Sequence, residues 1–299
     1  MYRRPWVWIG PVLWALAGSP SCTKSDSAPA KDEGGSKASL EADDGTPAAA
    51  AEATPALPEA QGVLDRATEA MGGKAAIARV QSFHYRGTID MVGHNIHGDL
   101  EIWWEAGDFY MEQKVPGIGT MRAGKRGDEI WAEDPIHGRR RLFGVEAEQH
   151  AWASSVLLAA EWKRYFERAQ TVAERTVDGK RIYDVRLESG SGLEVVMSFD
   201  AESGLQVGQG FEQVTPMGKQ PFEVRFEDYR DVDGIKLAYR QVIDAKIQQV
   251  VQEITEVEIN PAIDESRFAM PRGEGVDVVV APDAPPEDAP ENGAEPGPS

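Results

Sequence analysis

Apolar and polar positions alternate with a period of two through most of residues 82–258, the pattern of half-buried β-strands. Ile102 and Trp104, for example, alternate with Glu101 and Trp103. Asp-Gly and Ser-Gly pairs between the runs are typical of hairpin loops. The pattern predicts strands over residues 82–92, 96–105, 108–115, 119–125, 128–133, 139–143, 170–176, 181–188, 193–200, 205–213, 222–230, 235–244 and 246–258.

Helical spacing is confined to a few stretches. Apolar residues recur at helical spacing over residues 59–71, where a Gly-Gly pair follows, and a second short turn covers residues 74–80. The strongest helical pattern predicts one helix over residues 145–166, between two groups of strands. We therefore expect a mainly β fold with some α-helix: a curled antiparallel half-barrel covered by a helical lid, because a sheet of this size curls or closes.

A curled sheet has a concave face that helices can either fill or cover, and covering leaves a cavity. Candidate residues for this face are apolar or aromatic and come from several strands and from the long helix. We expect the following side chains to line an apolar ligand-binding cavity: Trp104, Phe109, Met111, Trp131, Trp152, Val156, Met197, Phe199, Phe226 and Tyr239. The simpler alternative is that they pack the protein core.

The first 22 residues have the pattern of an export signal. A basic start is followed by an apolar run from Trp6 to Gly18 and by Cys22, the chain's single cysteine. The run is shorter than the roughly 20 residues that a membrane helix needs. We expect Cys22 to be acylated and to anchor the protein to a membrane. The alternative is signal cleavage after residues 15–17, which gives a soluble periplasmic or secreted protein.

Composition separates one folded domain from two low-complexity ends. Residues 23–58 contain one leucine in the first thirty positions and no aromatic residue, and residues 277–299 alternate proline with acidic residues. Such segments cannot bury enough apolar surface to offset the entropy of ordering. We therefore expect a disordered tether, a folded domain over residues 59–276, and a disordered acidic tail.

Charge and motifs exclude several classes of function. The net charge of −19 disfavours nucleic-acid binding, which needs a basic surface. Gly119 to Lys125 has the spacing of a phosphate-binding loop, but Arg126 replaces the hydroxyl residue that would bind Mg²⁺. His94 and His97 flank a hairpin turn and lack the further converging ligands of a zinc site. We expect no metal, no cofactor and no catalysis.

Five phrases, in their order along the chain, resemble the periplasmic outer-membrane lipoprotein-sorting proteins, the LolA/LolB-like superfamily. The resemblance extends over most of residues 60–271. The phrases are AMGGKAAIARVQS (70–82), KRGDEIW (125–131), VDGKRIYDV (177–185), FDAESGL (199–205) and FEDYRDVDGIKL (226–237).

The resemblance implies a half-open antiparallel barrel of about eleven strands, with a helical lid over an apolar cavity that holds acyl chains. Among such proteins the membrane-anchored members fit best, because of Cys22 and the tether. Thr23, rather than the Asp that causes inner-membrane retention in related systems, implies an outer-membrane lipoprotein facing the periplasm. We expect a protein that binds lipid or the acyl chains of another lipoprotein. The alternative is an envelope sensor or interaction module of the same fold, with a protein partner.

Overall fold

The computed structural model describes residues 56–215, 218–246 and 248–272. The predicted signal segment with Cys22, the predicted tether up to residue 55 and the predicted acidic tail lie outside these residues. The domain limits that the composition indicates therefore stay predictions.

Thirteen strands make up most of the described chain, two more than the family resemblance implies. All of them belong to a single antiparallel sheet. The strands are β1 (Ser82–Met91), β2 (Ile96–Glu105), β3 (Asp108–Val115), β4 (Gly119–Arg126), β5 (Glu129–Asp134), β6 (Gly138–Arg141), β7 (Arg168–Val177), β8 (Lys180–Glu188), β9 (Glu194–Asp200), β10 (Gln206–Thr215), β11 (Gly218–Val232), β12 (Ile235–Asp244) and β13 (Gln249–Ile259).

Within the described ranges four α-helices accompany the sheet: α1 (Ala60–Ala70), α2 (Gly73–Ile77), α3 (Gly144–Ala153) and α4 (Leu158–Glu161). The same ranges contain two 3₁₀ turns, one at Trp162–Arg164 after α4 and one at Glu265–Phe268 near the end of the described chain.

The strand order shows how the sheet is built. It runs β6-β5-β4-β3-β2-β1-β13-β12-β11-β10-β9-β8-β7, so two meanders are joined where β1 pairs with β13. Strands β6 and β7 are its two edges, and the sheet is not closed. Helix α3 contacts both β5 and β10, which are far apart in the strand order, so the sheet curls around this helix. The predicted fold class, a curled antiparallel sheet with helices, is confirmed.

The hairpin turns have the backbone geometry that their sequences predict. Asp178 and Gly179 have φ angles of 50° and 78°, and Asp233 and Gly234 have 53° and 83°. Two successive residues with positive φ suit the right-handed twist of the flanking strands, and Asp-Gly adopts this turn readily. Such turns place each strand directly beside its predecessor.

The prediction of one helix over residues 145–166 is wrong. Helix α3 ends at Ala153, and α4 begins only at Leu158. The hydroxyl of Ser154 donates to the carbonyl oxygen of Ala151 (3.0 Å), and the hydroxyl of Ser155 donates to Glu161 Oε2 (3.2 Å). Serine side chains that bond nearby groups in this way compete with helical backbone bonds, and this favours a break.

Candidate functional site

A cavity of about 150 Å³ lies between the inner face of the sheet and the segment that joins α3 to α4. Residues 153–156 and 158–159 form its roof, a term used below for the whole stretch 153–159. The sheet contributes side chains from both meanders, so the cavity spans the junction of β1 with β13. Its apolar sheet residues include Tyr85, Ile102, Phe109, Met111, Val224 and Phe226.

The strands place these side chains by simple alternation. In β3 the buried positions are Phe109, Met111, Gln113 and Val115, and the residues between them are more exposed. In the register, Met111 lies opposite Ile102, which is itself opposite Tyr85. Directly opposite residues of neighbouring strands share a face, so these three side chains form one row across the inner surface.

Four of the ten predicted cavity residues line the cavity. Phe109 and Met111 lie on β3, Phe226 on β11, and Val156 in the roof. Val156 and Phe226 are only half-buried, although both lie inside the fold, because they border the cavity. The structure therefore brings together residues as far apart in the sequence as Phe109 and Phe226, and their role in binding stays a proposal.

Four other predicted residues are buried in the packed core behind the cavity. Trp104 contacts Phe83 with ring centroids 5.8 Å apart, and Phe83 is the one that faces the cavity. Met197 and Phe199 on β9 are buried among apolar neighbours. Trp152 packs against Phe211 and Phe166, at ring distances of 5.0 and 5.6 Å, which holds the end of α3 against the sheet. These four side chains therefore pack in the protein core, as the simpler alternative in the sequence analysis expects.

Trp131 lies on the outer face of the sheet, so its predicted placement was wrong. Its Nε1 donates to the carbonyl oxygen of Phe268 (3.0 Å), and a Cβ on the opposite residue Gly124 would lie 2.7 Å from the indole. Trp131 has the same alternation parity as Glu129 and Glu133, which indicates the outer face. That signal was present in the sequence, and the size of the side chain obscured it.

Tyr239 is the last predicted residue that does not line the cavity. It is half-buried, and the guanidinium carbon of Arg230 lies 4.3 Å from its ring centroid. This distance is typical of a cation–π contact. Tyr239 therefore contacts a charged side chain of β11 instead of the cavity.

The cavity also has polar lining residues that the apolar pattern did not predict. These are Gln206, Gln209, Gln241, Tyr229 and Ser154 with its neighbour Ser155. The hydroxyl of Tyr229 donates to the carbonyl oxygen of Gln206 (2.7 Å). Gln241 could have been found from alternation, because it shares a parity with Tyr239 and Ile243 in β12.

Burial in apolar surroundings dominates the electrostatics of the cavity. Burial raises the pKa of Tyr85, and it raises the pKa of Tyr229 as well. Both phenols therefore stay neutral at any physiological pH. Among the described residues that line the cavity, Lys236 is the one charged side chain, and it is exposed at the rim.

Two further features of the described ranges concern metal ions and membranes. Within them, His, Cys, Asp and Glu side chains do not assemble into any group of three that could hold a metal ion. None of the helices in this part of the chain combines the length and the apolar character needed to cross a membrane.

Known proteins resemble this chain at the level of fold. No model of a known protein family matches it, and no curated protein matches it in sequence. Solved structures do match it, among them the following three. A DUF1329 family protein from Desulfovibrio piger has 12% identity and a TM-score of 0.49, with 71% of this chain and 98% of the other covered. A LolA superfamily protein from Nitrosomonas europaea has 11% identity and a TM-score of 0.48, with 72% and 99% covered.

The third structure is a domain from Vibrio parahaemolyticus described as an outer membrane lipoprotein-sorting protein. It has 12% identity and a TM-score of 0.46, with 70% of this chain and 97% of that chain covered. The names of the second and third structures agree with the resemblance seen in the sequence. At this identity the likeness is one of fold alone.

Proposed function

We propose that the cavity binds an acyl chain of a lipid or of a lipoprotein, without catalysing a reaction. The observation that carries this proposal is an apolar cavity inside the fold whose lining side chains, such as Tyr85, Val156 and Phe226, are not fully packed. A compact protein normally fills such a space with side chains. An apolar cavity that persists among aromatic and aliphatic groups favours an apolar ligand.

The volume of the cavity limits what it holds in the present conformation. An enclosed apolar cavity of roughly 150 Å³ is large enough for a ligand such as benzene, whereas pockets for drug-sized molecules have volumes of about 300–1,000 Å³. A cavity of about 150 Å³ therefore takes only the first part of an acyl chain. A longer chain requires displacement of the roof.

The roof is the element best placed to move. Helix α4 is a single turn of four residues, and short helices have little stability of their own. A second groove, of about 530 Å³, lies on the other side of α4, between this helix, α1 and α2. Displacement of α4 towards that groove would enlarge the cavity without breaking the sheet.

A matched pair of variants tests acyl binding. Val156→Trp places an indole in the roof above the cavity, whereas Val177→Trp places one at an exposed position on β7. We expect Val156→Trp to weaken binding of a dansyl-labelled fatty acid at least tenfold and Val177→Trp to leave it unchanged, as measured by fluorescence titration. Equal binding by both variants and the unmodified chain would contradict the assignment of this cavity.

Attachment to a membrane is a separate part of the proposal, supported by the sequence pattern around Cys22. Acylation of this cysteine would hold the domain at the outer membrane through the segment of residues 23–58, facing the periplasm. We expect Cys22→Ala to move the protein from the membrane fraction to the soluble fraction of cell envelopes. Unchanged fractionation of this variant would refute the anchor, and the cavity proposal would stand independently.

A protein-interaction module is the second candidate, and the small volume of the cavity favours it. Six of the ten predicted cavity residues lie elsewhere, four of them in the packed core. If the folded, unmodified chain binds no acyl probe, the fold would act through its surface on an envelope protein partner.

A further inference from the structure

A groove lies on the outer face of the sheet, on the side opposite to the cavity. It has two adjoining parts of about 490 and 650 Å³, and both parts are lined by Val196, Gly210 and Glu223. Val196 of β9 alternates with Val195 and Met197, which are buried in the core, so its side chain points away from the core. The groove, called the outer groove below, follows β10 between β9 and β11.

The floor of the outer groove is bare backbone. Gly208 and Gly210 occupy alternate positions of β10, and they face outwards because Gln209 between them lines the cavity on the inner face. Gly210 is directly opposite Val196 on β9 and Glu223 on β11. Because glycine has no side chain, the residues of β9 and β11 form two walls along an empty strip.

The fold itself does not require these two glycines. In the other meander, a Cβ on Gly98 would lie 2.5 Å from a backbone oxygen of β3, and a Cβ on Gly124 would lie 2.7 Å from an indole ring. A Cβ on Gly210 would meet nothing closer than 3.9 Å, and one on Gly208 nothing closer than 3.4 Å. Neither residue has a positive φ. Glycine inside a strand weakens it and often marks a site where a ligand or another backbone approaches closely.

The walls of the outer groove carry an excess of negative charge. In the described part of the chain, seven acidic side chains and four basic ones line the groove. Two of the basic ones are paired with acidic neighbours. Arg175 Nε lies 2.7 Å from Asp184 Oδ2, and Lys219 Nζ lies 3.3 Å from Glu212 Oε2. The remaining acidic excess favours a ligand that carries basic groups.

The dimensions of the outer groove select an extended chain. Neighbouring strands are about 4.8 Å apart, so the walls on β9 and β11 are about 10 Å apart. An α-helix with its side chains is about 10–12 Å across and does not fit between them, whereas a single extended chain does. The wall on β9 extends from Leu193 to Ser198, about 20 Å at the rise of a strand, which is the length of about six extended residues.

We infer that the outer groove binds an extended peptide segment of a partner protein, in which small apolar residues alternate with basic ones. The small side chains face the glycine floor. Lysine or arginine side chains between them are long enough to reach the acidic walls on either side. This interaction goes beyond acyl binding and does not depend on it, because the groove and the cavity lie on opposite faces of the sheet.

Two fluorescein-labelled peptides of six residues test the inference with the full chain. Valine alternates with lysine in the first peptide and with glutamate in the second. We expect the lysine peptide to bind at least tenfold more tightly, as measured by fluorescence anisotropy, and its binding to weaken as the salt concentration rises, because exposed charges are screened by salt.

Gly210→Val is the decisive variant, because it fills the middle of the groove. Its Cβ has room, and valine favours strands, so the variant should fold with a thermal transition no lower than that of the unmodified chain. We expect it to bind the lysine peptide at least tenfold more weakly. Thr120→Val is the matched control. It adds an outward-facing valine beside the buried Met121 in the other meander and should leave the affinity unchanged.

Glu223→Gln gives a second readout that does not depend on filling the groove. Glu223 belongs to both parts of the groove, and its replacement removes one negative charge from the wall on β11. We expect the lysine peptide to bind about two- to fivefold more weakly, the range typical of one exposed ion pair.

Each outcome supports or overturns the inference. Weaker binding in Gly210→Val and Glu223→Gln, with unchanged binding in Thr120→Val, supports it. Equal affinity for the two peptides, no binding of the lysine peptide at millimolar concentration, or full affinity in a folded Gly210→Val would overturn it. An equal loss in Thr120→Val would also overturn it, since the peptide would then bind elsewhere on the outer face. If Gly210→Val does not fold, unchanged binding in Glu223→Gln overturns the inference. Binding of the dansyl-labelled fatty acid is a separate measurement, so acyl binding stands or fails independently.

Discussion

His150 shows how burial changes the chemistry of a single residue in this fold. It lies in α3, is 1% exposed, and its Nδ1 donates to the carbonyl oxygen of Glu146 over 2.9 Å. Burial lowers the pKa of His150 to about 4. The imidazole is therefore neutral in the folded protein at pH 5 to 8, whereas in the unfolded chain it takes up a proton near pH 6.5.

A dependence of stability on pH follows from this difference. The contribution of His150 is fully present above pH 6.5 and is lost as the pH falls towards 4, because in this window only the unfolded state binds the proton. A shift from 6.5 to about 4 corresponds to a loss of about 3 kcal/mol. We expect urea unfolding of His150→Gln to change less with pH in this window. Parallel curves for the two proteins would show that His150 takes up its proton at the same pH in the folded and the unfolded state.

Trp131 gives a second prediction for a single residue. Trp131→Phe keeps an aromatic ring on the outer face but removes the donor that binds the Phe268 carbonyl oxygen. We expect the free energy of unfolding to fall by about 1–3 kcal/mol, the cost of leaving one buried polar group without a partner. Binding of the dansyl-labelled fatty acid should not change, because the cavity lies on the opposite face. Weakened binding in a folded variant would place Trp131 in the site after all.

Among the secondary-structure elements, the strands could be predicted well and the lid could not. Alternation sets which face a strand residue occupies, and it places Phe109 and Met111 correctly, because each has polar or charged neighbours on both sides. For Trp131 the prediction is wrong, because it follows the large apolar side chain and not the alternation, which indicates the outer face. The break between α3 and α4 depends on Ser154 and Ser155, whose hydroxyls can bond either within a helix or in a turn. Apolar spacing does not distinguish these two states.

The roof should be the most mobile part of the cavity wall. Backbone amides of residues 154–157 lie outside regular helix, and α4 is one turn long, so few hydrogen bonds resist local opening. We expect hydrogen–deuterium exchange here to be much faster than in β1 to β3, and to slow when the dansyl-labelled fatty acid is added. Exchange in the roof as slow as in those strands would contradict ligand entry through this segment.

At the scale of the whole molecule, the sheet is held together near both ends of the described chain. Strand β1 follows α1 and pairs with β13, so the two meanders meet there. Beyond β13 the chain crosses to the outer face, where Arg267 lies 4.3 Å from the ring centroid of Trp103 and Phe268 is buried. Sequence composition indicated a domain that continues to about residue 276. The physical reason for this limit is that the segment after β13 covers tryptophans on the outer face of the sheet. This could not be predicted from the sequence, because the sequence analysis places Trp131 on the inner face.

Two truncations test where the folded domain ends. A chain of residues 59–276 keeps Arg267 and Phe268, so we expect its cooperative thermal transition to lie within a few degrees of that of the full protein. A chain of residues 59–260 exposes Trp131, loses its hydrogen bond and removes the buried Phe268. Loss of one buried aromatic side chain and one hydrogen bond should lower the free energy of unfolding by at least about 3 kcal/mol. Differential scanning calorimetry of both chains decides between the two limits. If the shorter chain is as stable as the longer one, the segment after β13 merely rests on the sheet, and the domain ends at residue 260.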